Sequence, residues 1–371
     1  MPVPLPTLDL AERDYPALQR STDARSVYGH ALVAERQAVE RHTQGDEYAA
    51  TKVIFARIVG WLLLYPFGDT PAPFVLEFVN MRSDFNAKIY ELGELFMQYV
   101  IPLFKQHKPA SITLSSPPTR SSFERLRNAI DQQVVPSPRD HKDAKAQALI
   151  RDRYRCKLSD RLDSASFGAG LVDMTPQDTE TFATHCAHIF PESLCFLEGR
   201  DPEENVDLIQ RMSASAAYID TNFQRNFAVT AYTMLNKFGC TNIQQELKGA
   251  NIHRLENVMT LEVNVHYHFD KLLVWLEAVE GRPHTYRIVT QKPYFGNLPD
   301  EVTFTSPHAL PQPSPRYLRV HAACCRIAHM SGAAEYIDKI YRDEEELGVL
   351  SEDGTSAPVL AHFLHRLVEP G

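Results

Sequence analysis

The chain is poor in cysteine, and its cysteines lack the spacing of a metal or disulfide framework. Only six occur in 371 residues, and none forms a C-x-x-C pair. They are Cys156, Cys186, Cys195, Cys240, Cys324 and Cys325. A zinc ribbon requires paired cysteines, and secreted disulfide scaffolds are usually much shorter chains. The sequence excludes both classes, and we expect reduced thiols.

A long apolar run is also missing. The most apolar stretch, residues 58–67, is interrupted by Gly60 and Pro66. It is far shorter than the roughly 20 residues that a membrane-spanning helix needs. Residues 1–10 lack the charged start and apolar core of a signal peptide. We expect no membrane partner and a cytoplasmic or nuclear location.

Positive charge is not in excess, since 38 Lys and Arg stand against 47 Asp and Glu, for a net charge of −9. Proteins dedicated to nucleic acid are usually basic, because neutralising phosphates supplies much of their affinity. One local exception is residues 139–157, with seven Lys or Arg against three Asp. A solvated helical face is the favoured interpretation of this segment, and a nucleic-acid patch is the alternative.

The pattern of apolar residues and breakers predicts an α+β fold: a mainly helical chain with a central ββα module. Residues 1–135 are predicted to be a helical region, with helices at 46–64 and 85–104, followed by a Pro/Ser-rich linker. Residues 136–290 form the central module, with a largely helical insertion at about 194–248. Residues 291–371 are predicted to contain strand and helix, including a long helical pattern at 316–350.

A histidine is expected at the end of a strand in the central module. In residues 185–191 (HCAHIFP), strand alternation directs Ala187 and Ile189 to one face and His188 to the other. Pro191 ends the strand. The imidazole of His188 is then available as a general base.

A second segment combines Asn257 with two candidate metal ligands. Residues 258–261 are predicted to be a strand, followed by a helix whose apolar stripe consists of Val265, Phe269, Leu272, Leu273 and Leu276. His266 and Asp270 are four residues apart on a neighbouring face, where they can share a metal ion. Asn257 precedes the strand and can hydrogen-bond to the loop that carries the base.

In order and spacing, these residues resemble the HNH (ββα-metal) endonuclease family. Its members have a base histidine in an A-H-I context, then an asparagine, then a histidine nine residues further on, as from Asn257 to His266 here. Residues 153–156 (RYRC), 187–191 (AHIFP) and 266–270 (HYHFD) resemble the R-x-x-C, A-H-I-x-P and H-x-x-F-D segments of one subfamily. The central arrangement also resembles uncharacterised fungal HNH-domain proteins.

The resemblance implies a metal-dependent phosphodiester hydrolase. His188 would be the general base, His266 and Asp270 the ligands of a divalent Mg, Mn or Zn ion, and Asn257, with His266, a further catalytic-site residue. The implied partner is nucleic acid, DNA more than RNA, and Arg153 or Arg155 is expected to contact phosphate. The oligomeric state is left open.

Two departures from the family pattern keep other functions open. Ala187 stands where many members have a metal-binding residue, and 69 residues separate His188 from Asn257. A long insertion beside a site can change its substrate. The alternatives are an HNH fold reused as an enzyme on a small metabolite, and a binding or regulatory protein with a degenerate site.

Overall fold

The computed structural model describes residues 2–79, 81, 84–105, 128, 137–197, 231–291, 298–308 and 310–347. The predicted linker and most of the predicted insertion lie outside the described residues. The chain divides into two compact units. One consists of Met1–Pro102, Glu204–Cys240 and Arg326–Gly371, and the other of Leu103–Glu203 and Thr241–Cys325. The division into three regions predicted from the sequence stays a prediction.

The first unit is helical in its described part. Its N-terminal helices are α1 (Leu8–Asp14), α2 (Pro16–Gln19), α3 (Thr22–Thr43), α4 (Glu47–Leu64), α5 (Pro73–Val79) and α6 (Phe85–Leu95). A π-helical stretch, Phe96–Val100, leads from α6 into α7 (Ile101–Phe104). The helices predicted at 46–64 and 85–104 are therefore confirmed, the second with this π-helical interruption. Ser21 begins α3 by accepting a hydrogen bond from the Ala24 amide, as an N-cap does.

Helix α4 is the centre of this unit, because it packs against both α3 and α6. A Cβ atom at Gly93 of α6 would overlap the backbone of Phe55 of α4. The close approach of these two helices therefore requires glycine at position 93. Within the described part of the chain, no helix combines the length and apolar character that a bilayer span requires.

The second unit mixes helices with short antiparallel strands. In chain order they are α8 (His141–Arg151), α9 (Ser164–Gly168), β1 (Thr184–His188), α10 (Ile243–Glu246), β2 (Val258–Glu262), α11 (Val263–Asp270), β3 (Val274–Ala278), β4 (Thr285–Thr290) and β5 (Glu301–Thr303). Short 3₁₀ turns occupy Glu192–Leu197, Gly249–His253 and Leu255–Asn257. Two helices follow β5 in the chain, α12 (Pro315–Ser331) and α13 (Ala333–Leu347). Helix α12 belongs to the second unit only up to Cys325, and α13 belongs to the first unit.

Strands β1 and β2 form a two-stranded antiparallel sheet that packs against α8 and α11. The register pairs His188 with Val258 and Thr184 with Glu262. On the α8 side, Cys186 packs with Ala144 and other buried apolar residues. The mixture of helices and small antiparallel sheets agrees with the predicted α+β class.

The helical stripe predicted to run through Leu272, Leu273 and Leu276 is wrong beyond Phe269. Helix α11 ends at Asp270, and Leu272 has a left-handed φ of 59°. The Leu273 amide then donates to the His268 carbonyl, which closes the helix end. Leu276 lies in β3, which pairs with β4 in a sheet of order β3-β4-β5. Apolar residues in a short run fit a buried strand as well as a helix, and here the backbone turn decides.

The long helical pattern predicted at residues 316–350 is wrong in one respect, because it is not one continuous helix. The described residues form two helices, α12 and α13, separated at Gly332 with a φ of 90°. Glycine adopts this conformation without steric cost and ends helices for that reason.

A buried ion pair joins α8 to strand β2. The Arg151 guanidinium contacts the Asp152 carboxylate at 2.7 and 2.8 Å, and both side chains are 0% exposed. Arg151 also donates to the carbonyl oxygens of Leu255 (2.7 Å) and Val258 (2.9 Å). Asp152 accepts from the Thr260 amide at 3.0 Å. The pair thus binds the backbone of β2 at Val258 and Thr260, and of the 3₁₀ turn before it at Leu255.

We expect Arg151→Met to lower the free energy of unfolding by about 3–5 kcal/mol, because it leaves the Asp152 carboxylate buried with an incomplete set of partners. Urea unfolding measures the change. Arg153→Met is the matched control, because Arg153 is exposed, and its effect should stay within about 0.5 kcal/mol. A loss for Arg151→Met no larger than that of the control would contradict this account.

Candidate functional site

The alternation of side chains along β1 divides the candidate residues between two helices. Cys186 faces α8, and His188, two residues on, has its ring 5.5 Å from that of His141 on α8. His185 faces the other way, and its Nδ1 lies 3.1 Å from the Nδ1 of His266 on α11. The strand therefore presents one histidine to each helix.

Asn257 holds the loop that follows His188. Its side chain is fully buried, and its Oδ1 accepts a hydrogen bond from the Phe190 amide at 2.9 Å. Its Nδ2 donates to the carbonyl oxygens of Phe190 (2.9 Å) and Ile252 (2.8 Å). Its backbone carbonyl accepts from the Ile189 amide. These bonds join the end of β1 to the start of β2, so Asn257 positions the backbone next to His188.

His188 is enclosed by other titratable side chains. Its Nδ1 lies 3.5 Å from Oε1 of Glu192, and its Nε2 lies 3.2 Å from Nδ1 of His253. Only 7% of the side chain is exposed. Burial lowers the pKa of His188 to about 3, although the Glu192 carboxylate acts in the opposite direction. The imidazole is therefore neutral at neutral pH, with a lone pair for a proton or a metal ion.

Glu192 is the acidic centre of this imidazole group. Its Oε1 lies 2.5 Å from Nδ1 of His141, in addition to its contact with His188, and 3.7 Å from Nδ1 of His253. Burial raises the pKa of Glu192, but the hydrogen bond with His141 and the nearby histidines outweigh it, and the pKa is lowered to about 2. Donor atoms of His141, His188 and Glu192 all lie within 4.8 Å of one another. These three side chains have the spacing to hold a metal ion.

The predicted ligand pair lies together on α11. Nε2 of His266 is 3.4 Å from Oδ2 of Asp270, and both side chains are mostly buried. Burial lowers the pKa of His266 to about 4 and raises the pKa of Asp270 to about 7. One nitrogen and one carboxylate oxygen thus face each other across one helical turn.

His188 and Asp270 line the same small crevice. Its other lining residues are Leu103, Phe104, Ile189, Pro191, Phe269 and His321. The rings of Phe269 and His321 are stacked at 3.9 Å. Asn257, in contrast, directs its amide to backbone groups. His268, the other histidine of α11, contacts the Asn264 carbonyl through Nδ1. Of the predicted residues, His188 and Asp270 therefore line the crevice, His266 lies beside Asp270 on α11, and Asn257 holds the loop.

Sequence reasoning missed four histidine or acidic residues of this site. They are His141, His185, Glu192 and His253. His185 had a signal, because it shares a strand face with Ala187, the position where the family carries a ligand. Glu192 follows the strand by four residues. His141 begins α8 and His253 ends a 3₁₀ turn, both distant from β1 in sequence, so the spacing gave no signal of them.

The basic segment at residues 139–157 is largely used inside the structure. Arg151 and Lys157 both contact Asp152, and Arg155 binds the Asp178 carboxylate at 2.6 and 2.7 Å. The expected phosphate contact of Arg155 therefore competes with a two-bond ion pair. Lys145 lies on the same helix as His141, and its charge adds to the effect of burial in lowering the pKa of His185.

Comparison with known proteins gives one match. No curated protein and no solved structure matches the chain. Residues 168–277 match the model of a family described as HNH endonuclease. The match contains His188, Asn257, His266 and Asp270 but not His141. The resemblance to the HNH endonuclease family predicted from the sequence is thus confirmed as a family match over residues 168–277.

Proposed function

We propose that this protein is a metal-dependent phosphodiester hydrolase that cuts nucleic acid, with DNA as its first substrate to test. An HNH endonuclease segment indicates nuclease-type chemistry. The observation that carries the proposal is the shared crevice of His188 and Asp270, with His266 one helical turn from Asp270. A base and a candidate metal ligand, Asp270, that line one crevice are parts that metal-assisted hydrolysis requires.

The pair His266 and Asp270 fits a divalent ion. Donor atoms on one ion with bonds of about 2.1 Å lie about 3.0–3.4 Å apart, and Nε2 of His266 is 3.4 Å from Oδ2 of Asp270. The other ring nitrogen of His266 contacts His185. A proton on Nδ1 of His266 would donate to His185 and leave Nε2 free as a ligand, an arrangement common among metal-binding histidines. One imidazole and one carboxylate suit Mg²⁺, Mn²⁺ or Zn²⁺.

His188 acts as the base in this proposal. The water proton passes to Nε2 of His188, the water oxygen bonds to phosphorus, and the bond from phosphorus to the 3′ oxygen breaks. The departing oxygen leaves with the bonding electron pair and takes a proton from solvent. Glu192, 3.5 Å from Nδ1 of His188, stabilises the resulting imidazolium. A divalent ion, when bound, supplies charge stabilisation at the phosphate.

Lys145 is the proposed phosphate contact in place of Arg155. Lys145 lies four residues after His141 on α8, the helix that packs against β1. The overall charge of −9 provides no general attraction for a polyanion. Local cations such as Lys145 are therefore needed to bind the substrate.

We expect the purified protein to nick supercoiled plasmid when a divalent ion is supplied, and Mg²⁺, Mn²⁺ and Zn²⁺ are each tested alone to find which ion supports the reaction. His188→Ala and Asp270→Asn should each lower the rate by about 100-fold or more, which is the scale of losing a general base or a metal ligand. His268→Ala is the matched control. His268 lies on the same helix as Asp270, but its ring contacts the Asn264 carbonyl and takes no part in the proposed site. Gel electrophoresis of nicked and linear plasmid measures the rates, and circular dichroism checks folding.

The result also separates the alternatives. Absence of nicking with metal binding retained at His266 and Asp270 would favour an enzyme of a small metabolite. Absence of both nicking and metal binding would favour a binding or regulatory protein. Equal nicking by His188→Ala and the wild type would exclude His188 as the base.

We expect Asn257→Ala to lower the free energy of unfolding by about 2 kcal/mol or more, because the buried Phe190 and Ile252 backbone groups lose their partners. Loosening of the loop after His188 should also lower the nicking rate of the folded protein. Asn251→Ala is the control, since Asn251 is exposed in the neighbouring 3₁₀ turn. Urea unfolding measures the free energy of unfolding, and the plasmid assay measures the nicking rate. Both are carried out at a temperature where each variant is folded. A normal stability and rate would refute the positioning role.

A further inference from the structure

A second group of metal-donor side chains lies on the α8 side of β1. Ligand atoms of His141, His188 and Glu192 are all within 4.8 Å of one another. His253 adds a nitrogen 3.2 Å from His188 and 3.7 Å from Glu192. These donors differ from the proposed pair on α11, which faces the other side of the strand through His185.

The spacing of these donors is that of ligands around one ion. Donor atoms on a tetrahedral zinc ion lie about 3.4 Å apart, because each bond is about 2.1 Å. Here Oε1 of Glu192 is 3.5 Å from Nδ1 of His188 and 3.7 Å from Nδ1 of His253. The 3.2 Å contact of His253 is with the other ring nitrogen of His188, Nε2, so His253 lies beside the group and is not counted among its three ligands. The shorter contact of His141 with Glu192, 2.5 Å, opens by a change in either of two half-exposed side chains.

The donor atoms of this group determine which ions it favours. Imidazole nitrogens with one carboxylate favour Zn²⁺ and neighbouring transition metals, whereas Mg²⁺ prefers oxygen ligands. His141 and Glu192 are 48% and 44% exposed, so ions can reach the group from solvent. His141 also lies outside the residues that match the HNH endonuclease family, 168–277. The family therefore does not assign a site that depends on His141.

We infer that His141, His188 and Glu192, with His253 beside them, form a second cation site, selective for transition metals. The consequence for activity rests on the proposed function. An ion in this site occupies the lone pair of His188, so His188 is no longer free to accept a proton from water. A transition metal at this site would therefore inhibit hydrolysis supported by Mg²⁺.

Binding of Co²⁺ tests the site without any assay of activity. Co²⁺ takes the ligands that Zn²⁺ takes, and its visible absorption reports the donor set. We expect the wild type to bind one more equivalent of Co²⁺ than His141→Ala or Glu192→Gln, measured by equilibrium dialysis and absorption. Asp270→Asn should retain that equivalent, because Asp270 belongs to the other pair. His308→Ala controls for loss of a histidine outside the group.

Removing one ligand should weaken binding by at least about 10- to 100-fold, since even residues that only orient a ligand have effects of that size. Equal binding of Co²⁺ by the wild type, His141→Ala and Glu192→Gln would overturn the inference. This outcome is independent of nicking. A protein that binds Co²⁺ through His141 but never cuts plasmid would keep the site and refute the proposed hydrolase.

Inhibition tests the consequence. One equivalent of Zn²⁺, added to a reaction with Mg²⁺ in excess, should lower the nicking rate of the wild type by a larger factor than that of His141→Ala. Each rate is compared with the rate of the same variant without Zn²⁺, so a change in basal rate does not enter. Equal factors for the two proteins would show that Zn²⁺ acts elsewhere and would overturn the inhibitory role.

Discussion

The arrangement of the second unit depends on the buried Arg151–Asp152 ion pair. Two adjacent residues at the end of α8 provide a cation that binds the Leu255 and Val258 carbonyls and an anion that binds the Thr260 amide. Two charges with 0% exposure are costly to bury, and complete partners offset that cost. The nearby positive charges keep the pKa of Asp152 below its usual value despite the opposing effect of burial. The pair therefore fixes where β2 lies against α8.

Once β2 is fixed, the rest of the site follows from antiparallel pairing. The register places His188 opposite Val258, next to the residue whose side chain holds the following loop, Asn257. The period of two along β1 then directs His188 to α8 and His185 to α11. Because α8 is the same helix that ends in Arg151, its first residue, His141, is carried to the imidazole group. One ion pair thus sets the positions of both histidine groups.

Local patterns in the sequence predicted part of this structure. The strand ending at His188, the strand after Asn257, and the pair His266 and Asp270 one turn apart all depend on neighbours in the chain. The stripe through Leu272 failed because a left-handed backbone at that residue turns the helix into a strand, and apolar spacing does not encode that turn. His141 and His253 were missed because only the pairing of β1 with β2 and the packing of α8 bring them to His188. The positive charge of residues 139–157 is also partly neutralised inside the structure: Arg151 and Lys157 pair with Asp152 of the same segment, and Arg155 pairs with Asp178, a tertiary contact.

His188 lies between two groups of metal-donor side chains, and its two proposed roles, general base and metal ligand, conflict. Burial among neutral imidazoles keeps its lone pair free, as a base needs, but a pKa lowered to about 3 makes it a weak acceptor of protons. The same lone pair is a good ligand for a soft transition metal, because ligation requires the neutral ring. Glu192 serves both roles, since its carboxylate stabilises an imidazolium and also completes a donor set. The identity of the ion at each face of β1 therefore decides whether His188 moves a proton or holds a metal.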